Sequence, residues 1–294
     1  MDAFTSQLVA GLSVGSVLLL VALGLSLTFG QLGVINMAHG EFIMAGAYTA
    51  YVVQQAVSAP GVSLLISIPI GFVIGGLMGL ILEVTLISRL YHRPLDTLLV
   101  TFGVSLILQQ AARDIFGAPA KQVVAPQWLS GVITIAGVDV PKARLFIFVL
   151  SIGAVLAVSA VLKLTPLGRR IRATVQNRDL AETIGIRTRS IDRCTFFIGS
   201  GIAAIAGVGL TLLGSTGPTL GTTYIVDAFL VVVAGGIGQV KGTVIAAFGL
   251  GLLQAAFEYS TTASIAKMLL LLAIVLFLQV RPQGLFTVRS RSLA

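Results

Sequence analysis

The chain has 294 residues, of which 56% are hydrophobic and only 10% charged, whereas a soluble globular domain carries roughly a quarter charged residues. Water is excluded as its main solvent. The net charge of +8 does not indicate nucleic acid, because the basic residues collect in short breaks between apolar runs, and the single cysteine, Cys194, excludes an intrachain disulfide, a redox pair and a CxxC metal site.

A hydrocarbon core about 30 Å thick needs roughly 20 predominantly apolar residues per helix. In chain order, candidate spans cover 5–30, 41–57, 63–88, 95–112, 144–163, 194–213, 224–239, 243–258 and 265–281. The first run begins at Phe4 without a basic n-region and is expected to be a retained span rather than a cleaved signal. The expected fold is an all-α, polytopic transmembrane bundle forming one domain over 1–294, with about nine spans. Eight to ten spans are compatible, because the segments at 41, 224 and 243 are short and glycine-rich and could be broken or re-entrant.

Orientation follows from Lys and Arg in short loops, which stay inside. Arg89 and Arg93 flank one break. Lys163, Arg169, Arg170, Arg172, Arg178, Arg187, Arg189 and Arg193 fill another, and Arg281, Arg289 and Arg291 end the chain. With nine spans all three regions share one side if the N-terminus is outside and the C-terminus inside. The 113–143 stretch is then an external loop, although it and its end carry Arg113, Lys121, Lys142 and Arg144. Its prolines and Trp128 predict a folded cap with an aromatic at the interface.

Glycines spaced by four, Gly11 with Gly15 and Gly71 with Gly75 and Gly79, predict close helix packing where lipid gives no hydrophobic drive. A glycine-rich helix followed by a short helix with a polar entry occurs twice, ALGLSLTFG to INMAHGEFIMAGAY and GVGLTLLG to YIVDAFLVVVAGG. This hints at an internal repeat, inverted in many transporters.

Asn36, His39 and Glu41 bring an amide, an imidazole and a carboxylate between two apolar runs, where ionisable groups are costly. Two readings remain open: capping at a bend, with Glu41 complementing the helix dipole, or lining of a polar path. Tyr224 and Asp227, ahead of Gly235, Gly236 and Gly238, pose the same choice. Glu83 and Glu258 are expected at the membrane interface. Thr97, Thr101 and Ser105 repeat every four residues in a span that also carries Gln109 and Gln110. This hydroxyl stripe suits interhelical hydrogen bonding or a pore face.

From Thr165, with Pro166 at the first helical position, to Gly185 the chain reads as a basic amphipathic helical hairpin within 164–193, with Ile171, Val175, Leu180 and Ile184 on an apolar face. It could lie on anionic lipid or dock into a groove on a soluble partner. Enzymatic machinery is missing. Lys241 in Gly235–Thr243 lacks the neighbours a phosphate loop requires, and His39 and His92 lie far apart in sequence without the carboxylate spacing typical of metal or triad sites. No catalytic residue, metal or cofactor is expected, and any energy must come from another chain.

The runs INMAHGEFIMAGAY at 35–48, GRRIRATVQNRDLAETIGI at 168–186, VVAGGIGQVKGT at 232–243 and RPQGLF at 281–286 resemble the permease subunits of bacterial ABC importers for branched-chain amino acids. RPLDTLLVTFGVSLILQQ at 93–110, DIFG at 114–117, WLSG at 128–131 and TLGTTYIVDAF at 219–229 look most like the urea branch. The resemblance implies a multi-pass protein of the inner membrane and a second permease subunit, often a different chain. It also implies two cytoplasmic ATPases, an external solute-binding protein and contact with membrane lipid. It implies that the hairpin couples to the ATPase through Arg169, Arg170, Arg172, Asn177, Asp179, Glu182 and Gly185. The expected solute is urea or a short amide moved by alternating access, with a branched-chain amino acid as the alternative and a passive channel or a membrane-embedded enzyme as readings from other classes. Asn36, His39, Glu41, Thr101, Ser105, Tyr224 and Asp227 are the expected pathway residues.

Overall fold

A computed structural model of the chain describes residues 2–91, 93–135 and 137–286; His92, Arg289 and Arg291, named above, lie outside the described residues. Among these, the chain forms eleven α-helices and one short β-hairpin. They are α1 (Asp2–Leu32), α2 (His39–Ala56), α3 (Pro60–Thr85), α4 (Pro94–Phe116), β1 (Val132–Ile135), β2 (Val138–Pro141), α5 (Lys142–Leu164), α6 (Pro166–Gln176), α7 (Arg178–Thr183), α8 (Thr188–Leu210), α9 (Leu220–Gly235), α10 (Val240–Ser260) and α11 (Ala263–Val280). The chain is an all-α polytopic membrane protein. Proline opens α3, α4 and α6, where its missing N–H would be unpaired in any case.

Each of the nine apolar runs falls on one helix, and seven helices are long and apolar enough to cross a membrane among the described residues. The run at 243 is not short: α10 has 21 unbroken residues. The two outside this group are α2, with 18 residues, and α9, with 16, and at about 1.5 Å per residue α9 covers only about 24 Å.

Helices α1 and α8 occupy the centre, with 61% and 72% of their apolar windows buried, against 17% for α5 and α11. The glycine spacing explains the packing. A methyl group at Gly15 would stand 2.9 Å from the Cα of Phe248 on α10, and one at Gly75 would stand 2.8 Å from the carbonyl oxygen of Ser200 on α8. Helix α1 thus lies on α10 as α3 lies on α8, and α1 and α8 touch each other. If α1, α2 and α3 correspond to α8, α9 and α10, these contacts pair up as those of a duplicated unit would.

At one end, the stretch between α4 and α5 folds as a cap. Strands β1 and β2 pair antiparallel, Lys121 bridges to Thr216, and Trp128 packs edge-on against Phe146 at 5.7 Å. At the other end lie the α6–α7 hairpin and the turn between α9 and α10, where Leu285 N donates to Ala234 O (2.9 Å) and Phe286 N to Gly235 O (3.3 Å). Two separate sequence motifs, VVAGGIGQVKGT and RPQGLF, therefore form one packed corner.

Candidate functional site

The links that enter the two short helices come from opposite ends of the bundle. Before α2, Gly30 is against Gly238 in the α9–α10 turn, whereas before α9, Thr216 pairs with Lys121 of the cap. Yet the first turns of α2 and α9 touch, since a methyl at Gly40 would meet the Gly221 carbonyl oxygen at 2.6 Å. Both helices must then start inside the bundle. Val34, Asn36 and Ala38 of the first link are accordingly buried. Irregular backbone at such depth persists only within protein or along a water-filled cavity.

Glu41, in the first turn of α2, is buried at this junction. Its Oε1 accepts hydrogen bonds from Ser105 Oγ (2.7 Å) and Gln109 Nε2 (2.9 Å) on α4. Gln109 Nε2 also approaches Ser105 Oγ (3.1 Å) and Thr222 Oγ1 of α9 (3.0 Å). Three helices therefore converge on one carboxylate. Thr101 Oγ1 accepts from Met37 N (3.1 Å) and donates to Thr97 O (2.8 Å). Asn36 Oδ1 accepts from Ala38 N (3.0 Å), so one end of this amide does cap the bend.

Several buried polar atoms here have no hydrogen-bond partner among the described residues: Glu41 Oε2, Asn36 Nδ2, both ring nitrogens of His39 and the Tyr48 hydroxyl. Leaving such groups unpaired costs about 1–3 kcal/mol each, and a buried water is the ordinary partner for groups of this kind. One to two turns along the same α2–α4 seam the packing becomes apolar. Met44, Tyr48 and Ala112 pack with Leu108 and Phe116, and the Tyr48 and Phe116 rings stack at 4.2 Å.

Of the expected pathway residues, the structure joins Glu41 to Ser105 directly and sets Thr101, Asn36 and His39 along the same entry. Tyr224 and Asp227 are elsewhere. Asp227 pairs with Lys267 of α11 at 3.5 Å, and Tyr224 packs into the central core. Relative to Thr222 they are about 140° and 200° around the helix, so they cannot share its face. Gln109 and Thr222, which the structure joins to Glu41, were not among the expected pathway residues. Continuing the 97, 101, 105 spacing would have given Gln109, but nothing local marks Thr222.

The α6–α7 hairpin is built as its sequence suggests. Thr165 Oγ1 accepts from Gly168 N (3.1 Å), Asn177 Oδ1 accepts from Leu180 N (2.9 Å), and Gly185 ends α7 at φ +86°. The face differs from expectation. Ile171 turns inward, while Val175, Leu180 and Ile184 are exposed, as are Arg169, Arg170 and Asp179. Arg172 donates to the Leu162 carbonyl and Glu182 accepts from Thr188.

Arg178, not among the expected coupling residues, fastens the hairpin. Its Nη2 donates to Asp192 Oδ2 (2.6 Å) and Thr188 Oγ1 (3.2 Å), and its guanidinium lies 5.4 Å from the Tyr91 ring centre. Burial alone would lower this guanidinium, but the hydrogen bond and charge of Asp192 outweigh it and hold it raised. Asp192, fully buried on α8, also accepts from Gln31 of α1 (3.2 Å). Burial, the Asp192 charge and its hydrogen bond to Glu83 push the Tyr91 phenol up, so it remains a donor.

Glu83, expected at the interface, stands near the end of α3 and is buried within the protein, accepting from Tyr91 Oη (2.8 Å) and facing Arg193 Nε (3.5 Å), because the loop after α3 and the start of α8 fold over it. A cavity of about 630 Å³ opens beside this cluster, lined by Glu83, Arg89, Tyr91, Arg178, Glu182 and Arg193 among others. Glu258 is half-buried and accepts from Gln254 at 2.9 Å. Among the described residues no three His, Cys, Asp or Glu side chains gather as metal ligands would.

A family profile described as "Branched-chain amino acid transport system / permease component" matches residues 7–278. The high-affinity branched-chain amino acid transport system permease protein LivH of Salmonella typhimurium is 29% identical over 297 residues, covering 92% of this chain and 94% of that protein. The corresponding BraD of Pseudomonas aeruginosa is 29% identical over 267 residues, covering 86% and 85%. The ribose import permease protein RbsC of Haemophilus influenzae is 30% identical over 219 residues, covering 70% and 65%. No solved structure matches the chain significantly.

Proposed function

We infer that this chain, which belongs to the family of branched-chain amino acid transport permease components, forms the solute path of an ATP-driven ABC importer for branched-chain amino acids. The observation that carries this reading is the Glu41 junction and the apolar stretch next to it. A carboxylate with one unpartnered oxygen suits an ammonium group, and the packed apolar cluster of Met44, Tyr48, Leu108 and Phe116 beside it suits contact with a branched aliphatic side chain. Urea, the solute expected from the 93–110 and 219–229 motifs, can hydrogen-bond a carboxylate through its N–H groups, but it is neutral and brings neither a charge to balance Glu41 nor an aliphatic group for the apolar cluster. The permease relatives named for branched-chain amino acids cover more than four-fifths of the chain and also favour the amino acid.

The remaining parts of the assembly are proposed with it: a second permease subunit, two cytoplasmic ATPases and an external solute-binding protein. The hairpin, with its exposed Leu180 and Ile184, is the surface offered to an ATPase. Its fastening through Arg178 to Asp192 on α8 gives ATPase closure a route to the helices that meet α2. Alternating access would then proceed by rigid movement of helices about a site at the junction of short helices.

The solute is tested on the cognate external binding protein by calorimetry with leucine, urea and acetamide. Leucine binding with urea silent is the expected result. Urea binding without leucine binding would return the solute to the urea branch.

A further inference from the structure

We propose that the cavity roofed by α6 binds the headgroup of one anionic phospholipid. This cavity, about 410 Å³, is lined by Lys163, Arg172 and Lys241 together with Ser26, Gln31 and Gln176, and no carboxylate is among its lining residues. That sets it apart from the larger cavity nearby, where Glu83 and Glu182 face the arginines. Lys163 and Lys241 have no ion-pair or hydrogen-bond partner among the described residues. Arg172 commits one nitrogen to the Leu162 carbonyl and keeps the rest of its fork free. All three are exposed at the cavity's opening; water and salt screen part of their mutual repulsion, and a bound anion relieves the rest.

The position selects a lipid over a free anion. Lys163 lies in the last turn of α5, Lys241 in the first turn of α10, and the α1 residues in its last two turns, so the cavity sits where spans end. Basic pockets between helices at this level suit anionic headgroups. The walls carry Leu27, Leu162 and Val175, which a dissolved phosphate would not use but the start of an acyl chain would. Ser26, Gln31 and Gln176 can hydrogen-bond the glycerol hydroxyls of phosphatidylglycerol. The headgroup would tie the hairpin helix α6 to α1, α5 and α10. Lys241, rejected above as a phosphate-loop lysine, acquires a phosphate of a different origin.

The test uses the full chain in detergent and native mass spectrometry during titration with phosphatidylglycerol or phosphatidylcholine. Wild type is compared with Lys163→Gln/Arg172→Gln/Lys241→Gln and with a charge-matched control at the other end of the bundle, Arg113→Gln/Lys142→Gln/Arg144→Gln. At about fivefold per cation, the cavity variant is expected to lose roughly a hundredfold in phosphatidylglycerol retention while the control and phosphatidylcholine retention stay unchanged. Equal loss in both variants, or equal retention of both lipids by wild type, would overturn the proposal. Displacement of the lipid by millimolar inorganic phosphate would overturn its assignment to a lipid. If the triple variant is not monodisperse, Lys241→Gln alone is read against its own fivefold expectation.

Discussion

Burying a carboxylate is costly unless it is paired and hydrogen-bonded, and Glu41 is only half provided for: Ser105 and Gln109 hold Oε1, while Oε2 is free. Glu41→Gln keeps the size and removes the charge. A hydrogen bond to a charged group contributes about 1.5–3 kcal/mol, so ATP-dependent leucine uptake should fall roughly 10- to 100-fold with expression unchanged. Asp227→Asn is the comparison. Its partly exposed pair with Lys267 predicts a change below about fivefold. Uptake assays that reversed this order would move the path to the other acid. Sequence alone exposed Glu41 because a charge between two apolar runs stands out, yet it could not separate Glu41 from Asp227. The difference is rotational: Thr222 faces Gln109, and Asp227 faces α11.

At the scale of elements, apolar runs were legible because membrane helices have little else to signal, and the α6–α7 hairpin was legible from Thr165, Pro166 and Gly185. What stayed hidden depends on contacts between elements distant in sequence. That Glu83, near the end of α3, is buried shows only once the loop after α3 and the start of α8 close over it. Ile171 reads as part of an outward face until α6 lies down on α5. The meeting of α2 and α9 at Gly40 and Gly221 is invisible in either segment by itself. The exposed part of the hairpin yields a prediction of its own. Leu180→Asp with Ile184→Asp leaves every hydrogen bond of the Arg178 cluster in place and puts charge on the proposed ATPase surface. Burying such groups contributes about 1.5–3 kcal/mol each, so co-purification of the ATPase should drop at least tenfold while the chain still inserts. Undiminished co-purification would remove the hairpin from the interface.

For the whole molecule, a multi-pass protein of the inner membrane, the opposed links entering α2 and α9 and the paired contacts of α1 with α10 and α3 with α8 describe a bundle organised around a central junction. If those paired contacts reflect a repeat, the sequence hints at it only through two weakly similar stretches, because close helix approach constrains the small residues and leaves lipid-facing positions free. Sidedness is expected to follow the basic hairpin. In a Cys194→Ser background, Asp179→Cys is expected to resist an impermeant maleimide in intact spheroplasts and react in inverted vesicles, and Ser130→Cys to do the opposite. The reverse labelling would invert the topology. The most direct measurement is leucine flux into proteoliposomes holding the chain with its partner permease and ATPases, with the binding protein outside. Accumulation that requires ATP inside and is absent with a hydrolysis-deficient ATPase is the predicted result. Equal leucine entry without ATP would contradict the importer and make the chain a channel.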